Sequence, residues 1–306
     1  MSGLRAAVED YLATRRALGF KLADHGWLLV DLVAFLDRAG ASRLTTELAL
    51  AWATSARGTQ TWYAARLSIA RGFARYLSTL DPDTEVPPAG LLSHRYHRAP
   101  PYLYSDADLD RLLAAANTLD PPLRAATYRT FIGLLATTGM RVGEATRLDR
   151  DDVDTEAGVL TVWRSKFGKS REIPLHSTTV AALGAYARQR DQLHPAPTAG
   201  LFLSTRGRRL DTTVVHKTFR TLCQRAGLAD PQRPNRPRLI DLRHTYAVRT
   251  LTDWYRAGLD VQARLPRLST ALGHIEPAST YWYLQAAAEL MAAAAQRLQS
   301  WTGQLP

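Results

Sequence analysis

A proline-rich break partway along the chain is the feature that most constrains its fold. Prolines stand at positions 82, 87, 88, 100 and 101, and a proline keeps the residue before it out of the helical region. Before the break, apolar residues follow helical spacing throughout residues 4–80. We therefore expect a helical domain over residues 1–85, a basic proline-rich linker over 86–102, and a larger domain over 103–306. A small helical domain tied by a basic linker to a larger one suggests a clamp around a duplex.

The larger domain is predicted to be mostly helical with one small β-hairpin. Strand patterns occur only at 158–163 and 171–175, and a short basic turn joins them. A cap at residues 104–108 predicts a helix that carries Leu109, Leu112 and Leu113. Helical spacing predicts further helices over about 122–138, 177–192, 211–227, 241–256 and 286–302. The predicted fold class is therefore mainly α, with a small sheet confined to the second domain.

Composition favours a polyanionic partner. The net charge is +11 over 306 residues, and nucleic acid is the usual partner of so basic a chain. The single cysteine, Cys223, excludes an internal disulfide and a cysteine-based metal site, and its helical setting favours a buried apolar role. No apolar run reaches the roughly 18 residues of a membrane span, and the amino terminus does not resemble a signal peptide. We expect a cytoplasmic protein whose partner is a nucleic acid.

A cation is placed in a predicted bend between two helices. The segment Thr138-Gly139-Met140-Arg141-Val142-Gly143-Glu144 follows the apolar run 131–135. Gly139 predicts a helix stop in the left-handed region, and Glu144 predicts a second short helix that ends near Leu148. Arg141, held in such a bend, would be directed at a ligand.

Lysine is rare in this chain, and its distribution is informative. Only four of the 39 basic Lys and Arg residues are lysines, and two of them, Lys166 and Lys169, lie in the hairpin turn. A guanidinium keeps its proton, whereas an ammonium group near other cations can release one. Lys166 is therefore a candidate proton donor, with a solvated turn as the alternative.

Three further stretches carry candidate site residues. Arg243 and His244 are predicted to open a helix capped by Asp241, where two cations oppose the helix dipole unless an anion binds. The alternatives are an ion pair of Arg243 with Asp241 or Glu144, and a packing role for His244. Downstream, His274 and the Tyr281-Trp282-Tyr283 cluster, which follows a proline at 277, are more often structural when each is taken alone.

In order and spacing, these residues resemble the tyrosine recombinase (phage integrase) family over nearly the whole chain. The motifs that carry the resemblance are Thr-Gly-Met-Arg-Val-Gly-Glu at 138–144, Asp-Leu-Arg-His-Thr-Tyr-Ala at 241–247, Leu-Gly-His at 272–274 and Ser-Thr-Tyr-Trp-Tyr at 279–283. The resemblance implies that Arg141 and Arg243 bind the scissile phosphate and that Tyr283 is the nucleophile. It also implies roles for the hairpin lysine Lys166, for His274, and for the supporting residues Glu144 and His244.

The implied activity is site-specific recombination of duplex DNA through a covalent 3′-phosphotyrosine, for a mobile element. The resemblance further implies that the partner is double-stranded DNA, that no metal or cofactor is required, and that the chain forms a homo-multimer on DNA, with sister recombinases as an open alternative. Basic residues outside the motifs are candidates for DNA contacts, and a solvated face is the alternative. These residues are Arg66, Arg71 and Arg75 on the last long helix of the first domain, Arg95 and Arg98 in the linker, and Lys169.

One position departs from the family pattern. The family usually has a histidine three residues before the second arginine, and here that residue is Ile240. Isoleucine neither accepts a proton nor donates a hydrogen bond. A second hypothesis is therefore a DNA-binding partner of the same fold that cuts inefficiently. A third, a type IB topoisomerase, uses similar residues but is disfavoured by the short chain and its helical amino-terminal domain.

Overall fold

The computed structural model describes residues 3–20, 22–92, 100–164, 168–194, 198–230, 232, 236–274, 280–281 and 283. The chain forms two compact units, residues 1–98 and 99–306. Val86 and Leu92 pack against the core of the first unit, and Tyr102 belongs to the core of the second. Both ends of the predicted linker thus contribute to a core, and residues 93–99 between them lie outside the described residues.

The first unit consists of helices, as its periodicity predicts. They are α1 (Gly3–Ala17), α2 (Ala23–Arg38), α3 (Thr46–Ser55) and α4 (Gln60–Leu77). Threonine hydroxyls at positions 45 and 59 cap α3 and α4 by accepting hydrogen bonds from backbone N–H groups of their first turns. The core is built from residues at helical spacing, among them Leu28, Leu32, Leu36, Trp52, Phe73 and Leu77.

Arg66 is buried, and this corrects its assignment as a DNA contact. Its side chain is 4% exposed, its Nη2 donates to the backbone oxygen of Trp52 at 2.9 Å and to Asp31 at 3.2 Å, and its guanidinium stacks on the Trp52 ring. Its donors therefore face protein and not solvent. Two nitrogens of Arg71, Nε and Nη2, donate to the backbone oxygens of residues 87 and 88, whereas Arg75 is exposed.

Replacing Arg66 with Ala should destabilise the first unit by about 2–4 kcal/mol, because the change removes a buried hydrogen bond and a large side chain stacked on Trp52. Arg75→Ala, on the exposed side of the same helix, should stay within about 0.5 kcal/mol. Urea unfolding followed by tryptophan fluorescence measures both. If Arg66→Ala lost DNA affinity while its stability stayed unchanged, Arg66 would be a DNA contact and not a structural residue.

The second unit is mostly helical with one three-stranded sheet. Its helices are α5 (Asp106–Asn117), α6 (Pro122–Thr138), α7 (Val142–Ala145), α8 (Ser177–Leu193), α9 (Thr212–Arg225), α10 (Leu239–Arg256) and α11 (Val261–Leu272). Ser105 and Asp108 form a capping box at α5, and Gly139 ends α6 in the left-handed region, as predicted. Cys223 is buried in α9, as predicted, and burial raises the pKa of its thiol to about 12.

The sheet contains the predicted hairpin and one further strand. Strands β1 (Val153–Asp154), β2 (Val159–Val162) and β3 (Arg171–Pro174) pair antiparallel in that order, with Leu160 opposite Ile173. The sequence predicts only two strands, because the two residues of β1 are too few to show alternation. Lys169 is exposed, and Lys166 falls in the segment 165–167 outside the described residues.

Three helices differ from their predictions. The short helix α7 covers Val142–Ala145, whereas the sequence predicted it from Glu144 to near Leu148. Helix α10 begins at Leu239 with Arg238 at its N-cap and Asp241 at its third position, so Arg243 and His244 lie in its second turn. The argument that they open the helix is therefore wrong, and no anion at the helix terminus follows from it. The predictions contained no helix at 261–272, where α11 carries Pro266 in its interior, a residue that usually ends a helix. The predicted helix 286–302 lies outside the described residues.

None of the helices within the described residues is long and apolar enough to cross a lipid bilayer.

Candidate active site

Arg141 stands at the bend predicted for it, between α6 and α7, and is held on both sides. Its Nη1 donates to Oε1 of Glu144 at 2.9 Å, and its Nη2 donates to the backbone oxygen of Gly273 at 2.9 Å. The backbone N–H of Arg141 donates to Oε2 of Glu144 at 3.0 Å, which fixes the start of α7. The side chain keeps 29% exposure, so Arg141 is oriented by these bonds and is still partly exposed.

Glu144 is the buried centre of an ionic cluster. Its side chain is 2% exposed and also accepts two hydrogen bonds from Arg171, at 3.2 Å from Nη1 and 2.7 Å from Nη2. Burial by itself would raise the pKa of this carboxyl, but the hydrogen bonds and charges of Arg171 and Arg141 outweigh burial and lower the pKa. Glu144 is therefore ionised at neutral pH, and a bidentate arginine neutralises it.

Arg171, at the start of β3, links this cluster to the end of α11. Its Nε donates to the backbone oxygen of Ala271 at 2.8 Å. The α11 helix ends at Gly273, whose φ is +68°, and a Cβ there would lie 2.8 Å from Nη1 of Arg171 and 3.2 Å from Nη1 of Arg141. Glycine is therefore required at 273 both for the backbone conformation and for the approach of two guanidinium groups.

Arg243 lies on α10 and reaches the same bend. It is 3% exposed, and its Nη1 donates to the backbone oxygen of Gly139 at 2.8 Å. Burial lowers the pKa of Arg243 to about 10, an effect opposed by Tyr283 and Glu144 and reinforced by Arg141. Arg243 therefore stays charged at neutral pH.

The second terminal nitrogen of Arg243 is buried beside Tyr283. This Nη2 forms no hydrogen bond of normal geometry with the described residues, although the Tyr283 hydroxyl lies close enough to raise the pKa of Arg243. An unsatisfied buried donor is costly, and an anion that binds there would satisfy it.

Tyr283 lies against two histidines. Its ring centroid is 5.4 Å from that of His244 and 6.1 Å from that of His274, and the His274 ring is nearly parallel to it. The Nδ1 of His274 lies 2.7 Å from the hydroxyl oxygen of Thr280, which is fully buried and fixes the orientation of the imidazole. Tyr283 is 2% exposed, whereas Tyr281 is 43% exposed, so the two tyrosines of the cluster face different surroundings.

The structure thus brings together six of the predicted site residues: Arg141, Glu144, Arg243, His244, His274 and Tyr283. It does not place Lys166, Arg95 or Arg98, which lie outside the described residues. Ile240 is 40% exposed on α10, so the departure from the family pattern is at an accessible position. Among the described residues, no group of three or more His, Cys, Asp or Glu side chains is arranged to hold a metal ion.

Sequence reasoning missed Arg171. Within β3, Arg171 and Ile173 point to the same face, and Ile173 is buried, so strand alternation places an arginine on the inward side of the sheet. A charged residue at an inward position requires a buried partner, and that pattern was the available signal.

Comparison with known proteins identifies the family. A model of the phage integrase family matches residues 103–289. The Sinorhizobium fredii (strain NGR234) protein named "Putative integrase/recombinase y4rB" is 46% identical over 309 residues, which cover 98% of this chain and 98% of that one. The tyrosine recombinase XerD of Mycobacterium tuberculosis is 34% identical over 158 residues, 51% of this chain and 46% of XerD.

A solved structure shows the same fold. A lambda integrase dimer bound to a COC′ core site matches with a TM-score of 0.62 and 18% identity, over 90% of this chain and 96% of the other. The family model covers most of the second unit, and a close relative matches along nearly the full length. The chain belongs to the phage integrase family, the tyrosine recombinases.

Proposed function

We propose that this protein is a site-specific DNA recombinase that cuts and rejoins duplex DNA through Tyr283. The observation that carries the proposal is the convergence of the Tyr283 phenol with the buried guanidinium of Arg243 and with two histidines. A phenol beside a buried cation and two imidazole rings is an arrangement suited to attack on a phosphodiester.

In the proposed reaction, the Tyr283 oxygen attacks the scissile phosphorus while the bond from phosphorus to the 5′-oxygen breaks. The products are a 3′-phosphotyrosine and a free 5′-hydroxyl. Attack by the 5′-hydroxyl of another strand reverses the step and joins the new strands, because the ester bond energy is conserved. We assign protonation of the leaving oxygen to Lys166, an effect of roughly 10²–10⁴ in rate.

Arg141 and Arg243 would bind the non-bridging oxygens of the phosphate. Both guanidinium groups are already fixed, Arg141 through Glu144 and Gly273 and Arg243 through Gly139. Donors held in place before the substrate arrives stabilise the charge that develops in the transition state, because they need no reorganisation. The guanidinium of Arg243 beside the phenol would also stabilise the phenolate as it forms.

The proposed partner is double-stranded DNA, with assembly of several copies on it and with a mobile element as the source of the target site. The lambda integrase match supports this proposal, because that structure is a dimer on DNA. Among the predicted DNA contacts, Arg75 and Lys169 are exposed and remain proposed contacts. Arg66 is not among the proposed DNA contacts, because its side chain is buried.

A nicked suicide duplex tests the proposal. The duplex carries the end of the DNA element that encodes the chain, and its nick lets the short cleaved fragment diffuse away, so that the covalent intermediate accumulates. Wild-type protein should give an adduct that survives denaturing electrophoresis. No adduct at any protein concentration would favour the second candidate, a DNA-binding partner that cuts inefficiently, for which Ile240 is the specific observation.

Ile240→His should increase the rate of adduct formation by about tenfold or more, because general acid–base catalysis by a positioned histidine contributes up to roughly 10²–10⁴. Ile240 is 40% exposed, so a polar side chain can replace it at little cost in stability. Single-turnover rates from pH 6 to 8 measure the gain, which should follow deprotonation of the new imidazole. Ile240→Gln is the matched control, and an equal rate in both variants would show that Ile240 does not limit the chemistry.

A further inference from the structure

Two arginines share one buried carboxylate next to the candidate active site. Glu144 accepts hydrogen bonds from Nη1 and the backbone N–H of Arg141 and from both terminal nitrogens of Arg171. With both guanidinium groups charged and Glu144 ionised, the cluster carries a net charge of +1. Without Arg171, Glu144 and Arg141 would form a neutral pair.

The two arginines differ in exposure, and this difference separates their roles. The Arg171 side chain is 6% exposed and directs all three of its donor nitrogens at Glu144 and the backbone of Ala271. The Arg141 side chain is 29% exposed and is therefore partly accessible to a ligand. Arg171 therefore cannot reach a substrate without breaking its own bonds, whereas Arg141 can.

We propose that Arg171 is a positioning residue for strand cleavage: by neutralising Glu144, it leaves the charge of Arg141 available to the scissile phosphate. The inference rests on the proposed function and deepens it, since it assigns a role to a residue that contacts no substrate. Attraction between opposite charges in a site of low dielectric is strong, so an uncompensated Glu144 would compete with the phosphate for Arg141.

Arg171 also fixes the geometry of the end of α11. Its bond to Ala271 and the bond of Arg141 to Gly273 satisfy two carbonyl groups at the helix terminus, and His274 follows directly. A structural role of this kind would slow the reaction of every substrate alike. The electrostatic role depends on the negative charge of the phosphate, so the two roles can be distinguished by substrate chemistry.

The test compares two suicide duplexes, one normal and one with a methylphosphonate at the scissile position. The methyl group replaces a non-bridging oxygen and removes the negative charge. The Tyr283 oxygen–phosphorus bond still forms and the bond to the 5′-oxygen still breaks.

Arg171→Met should slow single-turnover cleavage of the normal duplex about tenfold or more, less than the roughly 10²–10³ lost with a direct donor. On the methylphosphonate duplex, wild type and Arg171→Met should agree within about threefold, because little charge is left to bind.

A second variant keeps the proposal testable if Arg171→Met folds poorly. The double variant Arg171→Met/Glu144→Gln removes the uncompensated carboxylate and returns the local charge to +1. It should cleave the normal duplex at least about threefold faster than Arg171→Met, since coupled residues give non-additive effects. A merely structural contact would give a double variant as slow as the single one or slower.

Arg190→Met is the matched control, because Arg190 is a buried arginine of the second unit that bonds the backbone of Leu201 and Thr198. Any loss in Arg190→Met should be the same on both duplexes. The proposal is overturned if the Arg171→Met defect is equally large on the neutral duplex, or if Arg171→Met cleaves the normal duplex as fast as wild type. Absence of a wild-type adduct on the normal duplex would overturn the proposed function and the role of Arg171 with it.

Discussion

Tyr283→Phe should abolish the covalent protein–DNA adduct. The change removes one oxygen and keeps the ring that packs against His244 and His274 in a site where the residue is only 2% exposed. Loss of a nucleophile typically costs on the order of 10⁶ in rate, so the adduct should fall below detection. Denaturing electrophoresis of the suicide-substrate reaction measures the adduct, and a mobility-shift assay should show DNA binding close to wild type.

Tyr281→Phe is the matched control, since it removes the same atom two residues earlier. Tyr281 is 43% exposed, so its hydroxyl is not enclosed with the histidines and arginines of the site. Adduct formation by Tyr281→Phe should remain within about twofold of wild type, as expected for a surface substitution away from the chemistry. An adduct that persists in Tyr283→Phe and disappears in Tyr281→Phe would move the nucleophile to residue 281.

Arg243→Lys should lower the single-turnover cleavage rate about 10²–10³-fold, the usual cost of losing one preorganised donor to a developing negative charge. The substitution retains the positive charge and loses the planar fork. In the wild type, Nη1 of Arg243 bonds the Gly139 carbonyl, and the guanidinium also lies beside the Tyr283 hydroxyl. A single ammonium cannot both hold the Gly139 carbonyl and bind the phosphate in the geometry of the fork. The rate is measured at saturating protein, so that the two proteins are compared in the chemical step and not in their affinity for DNA.

Arg256→Lys is the control on the same helix, where Arg256 is exposed in the last turn of α10. It should react as wild type does. Because Arg243 is buried, its variant requires an unfolding curve, and the rate must be measured where the protein is fully folded. A folded Arg243→Lys that cleaves within about threefold of wild type would contradict a direct role in phosphate binding.

Periodicity predicted most helices of this chain, and its failures have local causes. Helical spacing is visible in the long helices of the first unit, and alternation is visible in the β2–β3 hairpin, because each element is several residues long. Helix α11 was missed because Pro266 lies in its interior, and the prediction placed α10 two residues late because Asp241 was taken as its N-cap. Tertiary packing decides whether a helix continues through a proline and where a helix begins. A local sequence pattern contains no information on that packing.

The residues of the candidate site could be named from motif order, but their contacts could not. The spacing of Arg141, Arg243, His274 and Tyr283 suggested that they meet, and the structure places them together. The assignment of Arg66 to DNA was wrong, although the sequence contained a warning. Arg66 precedes Ala70 by four residues and Phe73 by seven, so it lies on the apolar stripe of α4.

In the proposed mechanism, a single tyrosine becomes linked to the 3′ end of a cleaved strand. The direct measurement is mass spectrometry of peptides from the trapped adduct after nuclease digestion, with the free end of the released strand assayed by a kinase that phosphorylates only a 5′-hydroxyl. We expect the nucleotide on Tyr283 and a released strand that the kinase can label. A modified peptide that places the nucleotide on Tyr281 or on any other residue, or a released strand that carries a 5′-phosphate, would contradict the account.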